Sequence, residues 1–231
     1  MTPPPGSGRP EEPRVVAVGG GHGLAASLRA LRQLTPALTA VVGVSDDGGS
    51  SGRLRRDLGV LPPGDLRMAL AALCGDDAWG ATWSRVVQHR FSGDGDLSGH
   101  AVGNVLIAAL WEETGDIVEG LDWVAALLGA RGRVLPVSTV PIAIVADVRV
   151  VDGGEAVTEV RGQVEVATTS GQVVGLRVDP PDPPVCPQAA AAVADADVVV
   201  LGPGSWYTSV LTHLRVPGMA RALEATPAAR V

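Results

Sequence analysis

The sequence contains no lysine, since all 18 of its basic residues are arginine. This absence excludes a lysine Schiff base, a lysine general base and the lysine of P-loop nucleotide-binding proteins. The arginines are outnumbered by 25 acidic residues, which gives a net charge of −7. A diffuse basic surface for nucleic acid or anionic membranes is therefore not expected, and any anionic ligand must be held locally.

Aromatic residues and cysteines are also scarce. One Tyr, one Phe and five scattered Trp do not make a stacking surface for single-stranded nucleic acid, so no nucleic-acid partner is expected. The two cysteines, Cys74 and Cys186, are far apart and predict neither a disulfide framework nor a zinc site. A cytoplasmic location is expected, because the sequence also lacks an apolar signal region and any apolar run long enough to span a membrane.

The chain of 231 residues is 46% hydrophobic, which is enough to fill a sizeable core. Residues 1–13 are rich in proline and glycine without apolar partners, so we expect a disordered tail there. Residues 14–231 are expected to form a single domain.

Strand patterns alternate with helix patterns along that domain. Residues 15–18, 38–44 and 198–201 are short apolar runs, typical of strands buried on both faces of a parallel sheet. Helical spacing of leucines follows the first of these runs, over residues 24–34. The alternation predicts a Rossmann-like, three-layer α/β fold with a mostly parallel sheet.

An antiparallel hairpin insertion is predicted at one edge of this sheet. Residues 142–151 and 157–160 read as its strands, joined by a turn at Asp152, Gly153 and Gly154. Residues 164–168 are interpreted as a further strand.

A glycine-rich segment lies between the first predicted strand and its helix. It contains Gly19, Gly20, Gly21, His22 and Gly23. Together with Ala26 it fits the G-x-G-x-x-A pattern, in which glycines let backbone N–H groups approach a pyrophosphate at a helix N-terminus. A tight turn alone is the simpler interpretation, but it needs fewer glycines.

A polar segment follows the second predicted strand and is interpreted as a loop. It contains Asp46, Asp47, Gly48, Ser50, Ser51 and Arg53. The two carboxylates suit either a ribose hydroxyl or Mg²⁺ shared with phosphate oxygens, and Arg53 suits a phosphate contact. An NAD-binding oxidoreductase and a merely solvated loop both remain open as alternatives.

Three further places offer polar groups. Asp65 follows Pro62, Pro63 and Gly64 and is placed to cap a helix that also bears Arg67. His100 and Asn104 are four residues apart on one helix face, where they suit either a ligand contact or a structural role. The last predicted strand leads into Gly202, Gly204, Ser205, Tyr207 and Thr208. Because the carboxyl ends of parallel strands meet at one edge, this loop should face the same crevice as the first two.

In combination these motifs resemble the YvcK-type gluconeogenesis factor family, a sister of CofD, the 2-phospho-L-lactate transferase of coenzyme F420 biosynthesis. The resemblance covers about residues 14–231. It rests on the segments at residues 19–23, 46–55, 62–67, 88–91, 99–104 and 202–209.

The resemblance implies a Rossmann-like, cytoplasmic bacterial protein that binds UDP-sugars, UDP-N-acetylglucosamine in particular. It also implies a role in cell-wall precursor supply and cell shape during growth on gluconeogenic carbon sources, with no established reaction. The alternative is a CofD-like enzyme that transfers a phospholactyl-type group from a guanosine diphospho-donor to a deazaflavin, using Mg²⁺ held by Asp46 and Asp47. We further expect a homo-oligomer and regulatory protein partners.

Two features depart from the family pattern. Many members carry Thr where this sequence has His22, so an imidazole donor would replace a hydroxyl contact to diphosphate. The family also continues beyond the position of Val231, so we expect the C-terminal part of the domain to be missing from this sequence.

The sequence thus predicts one crevice for a nucleotide sugar. Glycine N–H groups would hold the diphosphate with help from Arg53, while Asp46 or Asp47 would contact a sugar hydroxyl or a metal. His100 and Asn104 would orient the ligand, and Tyr207 would lie against a ring.

Overall fold

The computed structural model describes residues 12–149 and 156–231. Strand β1 (Val15–Gly19) is followed by helix α1 (Gly21–Leu31) and by strand β2 (Leu38–Val42), which pairs with β1 in parallel. Every residue of β1 is buried. This agrees with the continuous apolar run, since strands covered on both faces do not alternate apolar and polar residues.

A group of helices separates β2 from the next strand of its sheet, β3 (Arg133–Pro136). These are α2 (Gly49–Leu58), α3 (Gly64–Leu73), α4 (Ala78–Gln88), α5 (Val102–Thr114) and α6 (Ile117–Leu128). Helix α6 shows the usual end signals. The Asp116 carboxylate accepts hydrogen bonds from the N–H groups of Val118 and Glu119, and Gly129 ends the helix in the left-handed region at φ 60°.

The structure corrects the interpretation of the segment after β2, which is a helix rather than a loop. Helix α2 begins at Gly49 and buries Ser50, Ser51 and Leu54. Glycine and serine have low helix propensity, so the local sequence favours a loop. Tertiary packing of the buried face decides the conformation instead.

The main sheet reverses its direction of growth at β1. Helix α8 (Pro187–Ala194) leads into β7 (Val198–Leu201), which pairs in parallel with β1 on the side away from β2. Among the described residues the sheet has five parallel strands in the order β3-β2-β1-β7-β8, where β8 is Ala229–Arg230. Ligand crevices of open α/β sheets lie at such a reversal, at the carboxyl ends of the strands.

The chain after β7 enters a helix that begins at Trp206. Its first turn is a π-helical turn, Trp206–Val210, which continues into α9 (Leu211–Leu214). Helix α10 (Pro217–Ala225) then leads to β8.

The predicted hairpin is confirmed, but it belongs to a separate sheet. Strands β4 (Ala143–Arg149), β5 (Val157–Arg161) and β6 (Gln172–Asp179) pair antiparallel in the order β5-β4-β6. The hairpin therefore does not extend an edge of the parallel sheet. The turn predicted at residues 152–154 lies outside the described residues, and β6 is a strand that the sequence pattern does not predict.

Residues 164–168 are helical, so the strand predicted there is wrong. Helix α7 (Gln163–Thr168) begins where the Asp47 carboxylate accepts hydrogen bonds from the N–H groups of Gln163 and Val164, at 2.8 and 3.2 Å. The valines of this segment favour a strand locally, but a helix cap supplied from 116 residues away overrides them. Val166 then packs against Ile144 in the small core under the antiparallel sheet.

The main core lies around the parallel sheet and includes Leu24, Leu66, Ile107 and Leu121, all of them fully buried. The α/β fold class with a mostly parallel sheet and an antiparallel hairpin is thus confirmed. Over the ranges 12–149 and 156–231, no helix is both long enough and apolar enough to cross a membrane.

Candidate functional site

The glycine segment forms the turn between β1 and α1, and its glycines are needed for close approach. A Cβ on Gly20 would lie 2.5 Å from an Asp65 carboxylate oxygen, and one on Gly23 would overlap the backbone carbonyl of Pro203. Gly21 has a positive φ of 61°, a conformation that favours glycine. The segment therefore brings backbone against backbone at the N-terminus of α1, where free N–H groups favour an anion.

The loop after β7 meets this turn, as predicted from the carboxyl-end rule. The Gly202 N–H donates a 3.0 Å hydrogen bond to the Val18 carbonyl, and the Ser27 hydroxyl donates to the Gly202 carbonyl at 3.4 Å. At the start of the π-helical turn, Thr208 N–H donates to the Ser205 hydroxyl at 3.3 Å. Such turns are frequent at functional sites.

Tyr207 lies in this π-helical turn with its side chain 39% exposed, and the neighbouring Trp206 is 60% exposed. The turn therefore presents two aromatic residues to solvent.

Asp46 and Asp65 are the carboxylates that contact the start of α3 and the glycine segment, respectively. Asp46 accepts a 3.0 Å hydrogen bond from the Gly48 N–H, and its other oxygen would be 2.8 Å from a Cβ on Gly64. The structure corrects the expectation for Asp65, because Pro63 holds the N-cap position of α3 and Asp65 lies inside the first turn. Asp65 instead faces the glycine segment and accepts a hydrogen bond from the Gly21 N–H.

Burial, and next the nearby charge of Asp46, raises the pKa of Asp65 to about 6. The hydrogen bond from Gly21 and the charge of Arg67 act in the opposite direction but are the weaker influences. A carboxylic acid that is partly protonated near neutral pH is a feature of many functional sites.

Asp47 has a different environment from Asp46. Both of its carboxylate oxygens are engaged by the N–H groups that begin α7, so Asp47 joins the parallel sheet to the small antiparallel sheet. Within the described residues no group of three or more His, Cys, Asp or Glu side chains is arranged to hold a metal ion. Mg²⁺ is usually bound by one or two carboxylates together with ligand phosphates, a donor set that Asp46 and Asp65 fit better than Asp46 and Asp47.

Ser50, His100 and Asn104 form one buried hydrogen-bonded group. The Ser50 hydroxyl accepts from Asn104 Nδ2 at 3.0 Å and from the Ala101 N–H at 3.3 Å, and it lies 3.1 Å from His100 Nδ1. Burial, with a smaller contribution from Arg53, lowers the pKa of His100. This group ties the start of α2 to the start of α5. His100 precedes α5, which begins at Val102, so the prediction that His100 and Asn104 share one helix face is wrong.

Arg53 is also engaged within the protein. Its Nη2 donates a 2.7 Å hydrogen bond to the Ser98 carbonyl, which fixes the loop before α5. Ser51, only 3% exposed, lies against Gly64 at the start of α3.

Sequence reasoning misses the roles of two residues that shape the crevice. Arg90 lines a cavity of about 220 Å³ together with Arg67, Ser50 and Asp46, and the only signal for it is the segment at residues 88–91. His213 is fully buried on α9, lies against Gly43, and has its Nδ1 2.7 Å from the Ser209 carbonyl oxygen. Burial lowers the pKa of His213 to about 4, so the neutral ring packs the π-helical turn onto the end of β2.

A protein-family model described as 2-phospho-L-lactate transferase CofD matches residues 15–231. The chain belongs to the CofD family. The family assignment agrees with the resemblance inferred from the sequence motifs.

Several relatives of this CofD family member carry the name gluconeogenesis factor. Proteins named gluconeogenesis factor from Halalkalibacterium halodurans and Listeria monocytogenes are 39% and 38% identical to it, over 94% and 95% of its length. A Mycobacterium tuberculosis relative is 54% identical over 94% of this chain, which spans 64% of that relative's length. The crystal structure of a Bacillus halodurans protein of the UPF0052 family superposes with a TM-score of 0.86 at 38% identity, covering 95% of this chain and 67% of that one.

Proposed function

We propose that this CofD family member binds a nucleotide sugar, UDP-N-acetylglucosamine in particular, in the crevice at the carboxyl ends of β1, β2 and β7. The observation that carries the proposal is the close contact of the glycine segment with both Asp65 and Pro203. This contact places a helix N-terminus, glycine N–H groups and the Asp65 carboxylate close together. The N–H groups suit the diphosphate, and the carboxylate suits hydroxyl groups of the sugar.

Each part of the ligand then has a partner. The diphosphate would lie at the N–H groups of His22 and Gly23, because the Gly21 N–H already donates to Asp65, and the exposed His22 side chain would be an additional donor. Asp46 and Asp65 would accept hydrogen bonds from sugar hydroxyls, or share Mg²⁺ with the diphosphate. Tyr207 would cover a ring of the ligand.

In this proposal the protein acts as a regulator rather than as an enzyme. Binding of the nucleotide sugar would report the supply of cell-wall precursors during gluconeogenic growth and maintain cell shape, in a cytoplasmic homo-oligomer with regulatory protein partners. The gluconeogenesis factor name of the relatives supports this general role.

A CofD-like, Mg²⁺-dependent transferase is the second candidate, and the name of the matching family model favours it. In that case Asp46 and Asp65 would hold Mg²⁺ against the diphosphate of a guanosine diphospho-donor. The two candidates differ in the nucleotide they select and in turnover of a deazaflavin acceptor.

Calorimetric titration with UDP-N-acetylglucosamine, UDP-glucose, GDP and NAD, with and without Mg²⁺, tests the proposal. Saturable and preferential binding of UDP-N-acetylglucosamine is expected. Preference for GDP with Mg²⁺, followed by release of GMP when donor and deazaflavin are mixed, would establish the transferase instead. Preference for NAD would contradict both candidates.

A further inference from the structure

Helices α4 and α6 carry three of the five tryptophans in the sequence, and two of these are exposed. Trp79 on α4 and Trp123 on α6 are 56% and 58% exposed. Trp79 also joins the two helices, because its Nε1 donates a 3.1 Å hydrogen bond to the carbonyl of Leu127, which is 39% exposed. Adjoining exposed apolar residues mark an interaction surface, and Trp is enriched among the residues that dominate binding energy. We call the surface formed by Trp79, Trp123 and Leu127 the tryptophan face.

A charged residue lies at each end of the tryptophan face. Four residues on or just after helix α6 recur at intervals of four positions, namely Glu119, Trp123, Leu127 and Arg131. This spacing places the first three on one side of α6, and Arg131 follows the glycine that ends the helix. The Trp123 Nε1 donates a 3.3 Å hydrogen bond to Glu119 Oε1, which holds the carboxylate beside the ring. The face therefore runs from a carboxylate, through apolar side chains, to a guanidinium.

Glu119 and Arg131 are accessible to a partner. Both residues are exposed, and neither belongs to an ion pair in the part of the chain that the structure describes. Arg131 lies near the start of α4, since its Nε is 3.8 Å from the position of a Cβ on Gly75. The two acidic residues at that point are engaged elsewhere, because Asp76 already forms an ion pair and Asp77 caps α4. Glu119 and Arg131 are therefore open to pairing with opposite charges on a second molecule.

We propose that the tryptophan face binds a second copy of this chain, with the two α6 helices antiparallel about a two-fold axis. In such an interface each contact between two different residues forms twice, once in each direction. Glu119 of each copy meets Arg131 of the other, and Trp123 packs against Leu127 of the other copy in the middle. The face is thus complementary to itself in charge and in apolar surface, which favours a second copy over an unrelated protein. A parallel arrangement places like charges together and is disfavoured.

This interface is distinct from the nucleotide crevice. No residue of the tryptophan face lines the 220 Å³ cavity beside α2 and α3. Dimerisation therefore needs no bound nucleotide sugar, and it gives the homo-oligomer of the proposed function a defined contact surface. Because dimerisation is measured without nucleotide, its failure and a failure to bind nucleotide sugar are separate results.

Sedimentation velocity over a range of protein concentrations tests the interface. We expect a reversible dimer, and Trp123→Ser should raise its dissociation constant about 30-fold, because truncation of a central Trp is usually costly. Trp206→Ser changes a tryptophan that is 60% exposed on the π-helical turn, so this control should dimerise like the unaltered protein. Both variants should still unfold cooperatively, since both residues are exposed. A monomer at every concentration, or equal dimerisation of the two variants, would overturn the interface and leave the tryptophan face to a different partner.

Charge reversal tests the antiparallel pairing. Glu119→Arg and Arg131→Glu should each raise the dissociation constant about tenfold, because each places like charges opposite one another. The double variant restores opposite charges, and its dissociation constant should return to within about threefold of that of the unaltered protein. Glu224→Arg, an exposed change on α10, controls for the altered net charge and should not weaken the dimer. A double variant as weak as either single variant would overturn the antiparallel arrangement.

Discussion

Backbone atoms form one half of the crevice, and side chains form the other. At the glycine segment and the β7 loop, backbone meets backbone, and Gly23 leaves no room for a side chain against Pro203. At the cavity beside α2 and α3, side chains form the lining, through the buried Ser50 group and Arg67. The first half should therefore be sensitive to any added side-chain atom, and the second half to the loss of a hydrogen-bonding group.

Adding one methyl group to the backbone half should have the largest effect. Gly23→Ala would place a Cβ on the Pro203 carbonyl oxygen, and because this oxygen belongs to backbone, the two loops must separate. We expect a stability loss of about 3 kcal/mol and a loss of about 100-fold in UDP-N-acetylglucosamine affinity. Gly95→Ala, in open space, is the control and should change neither quantity. Equal affinity of both variants in calorimetry would refute the close contact.

Protonation of Asp65, where the two halves meet, should be visible as a pH dependence of stability. The unfolded chain loses this proton near pH 4, whereas folding raises the pKa of Asp65 to about 6. Between these values the folded state binds more protons, so its stability should fall as pH rises. Asp65→Asn should remove on the order of 2 kcal/mol of that fall in denaturant unfolding between pH 4 and pH 7. Asp94→Asn changes an exposed carboxylate, so this control should keep the pH dependence of the unaltered protein. If Asp65→Asn keeps the same pH dependence, the assignment of the raised pKa to Asp65 is contradicted.

Breaking the polar pairing of the side-chain half should cost less. Ser50→Ala removes the acceptor of Asn104 Nδ2, and Asn104 is only 1% exposed, so its amide would be left buried without this partner. We expect a stability loss of about 2 kcal/mol. Chemical denaturation would measure the loss against Ser92→Ala, an exposed serine. A difference near zero would mean that water replaces the lost hydroxyl.

Substitutions of the adjacent Asp46 and Asp47 should change different properties, ligand binding for Asp46 and stability for Asp47. Their effect on stability should be the smallest of those predicted. Asp47→Ala removes the cap of α7 and should cost about 1 kcal/mol in thermal unfolding with little change in nucleotide affinity. Asp46→Asn should weaken nucleotide binding while leaving α7 intact. The reverse pattern would show that Asp47, not Asp46, faces the ligand.

The backbone half can be predicted from the sequence better than the side-chain half, for a physical reason. Glycines between a strand and a helix are a local pattern, so residues 19–23 and the β7 loop can be placed together from strand ends alone. The role of Asp47 cannot be inferred in this way, because its partners are more than a hundred residues away at α7. Arg90 and His213 escape sequence reasoning because contacts made in the folded chain, rather than local spacing, give them their roles.

Hydrogen–deuterium exchange with and without saturating UDP-N-acetylglucosamine tests the central claim most directly. The account predicts slower exchange of the amides at residues 20–24, 48–52 and 205–209, because these are the N–H groups of the three segments that form the crevice. Exchange around the exposed Trp79 and Trp123, on α4 and α6, should not change. Saturable binding that leaves the three segments unprotected, or that protects α4 and α6 instead, would contradict the site.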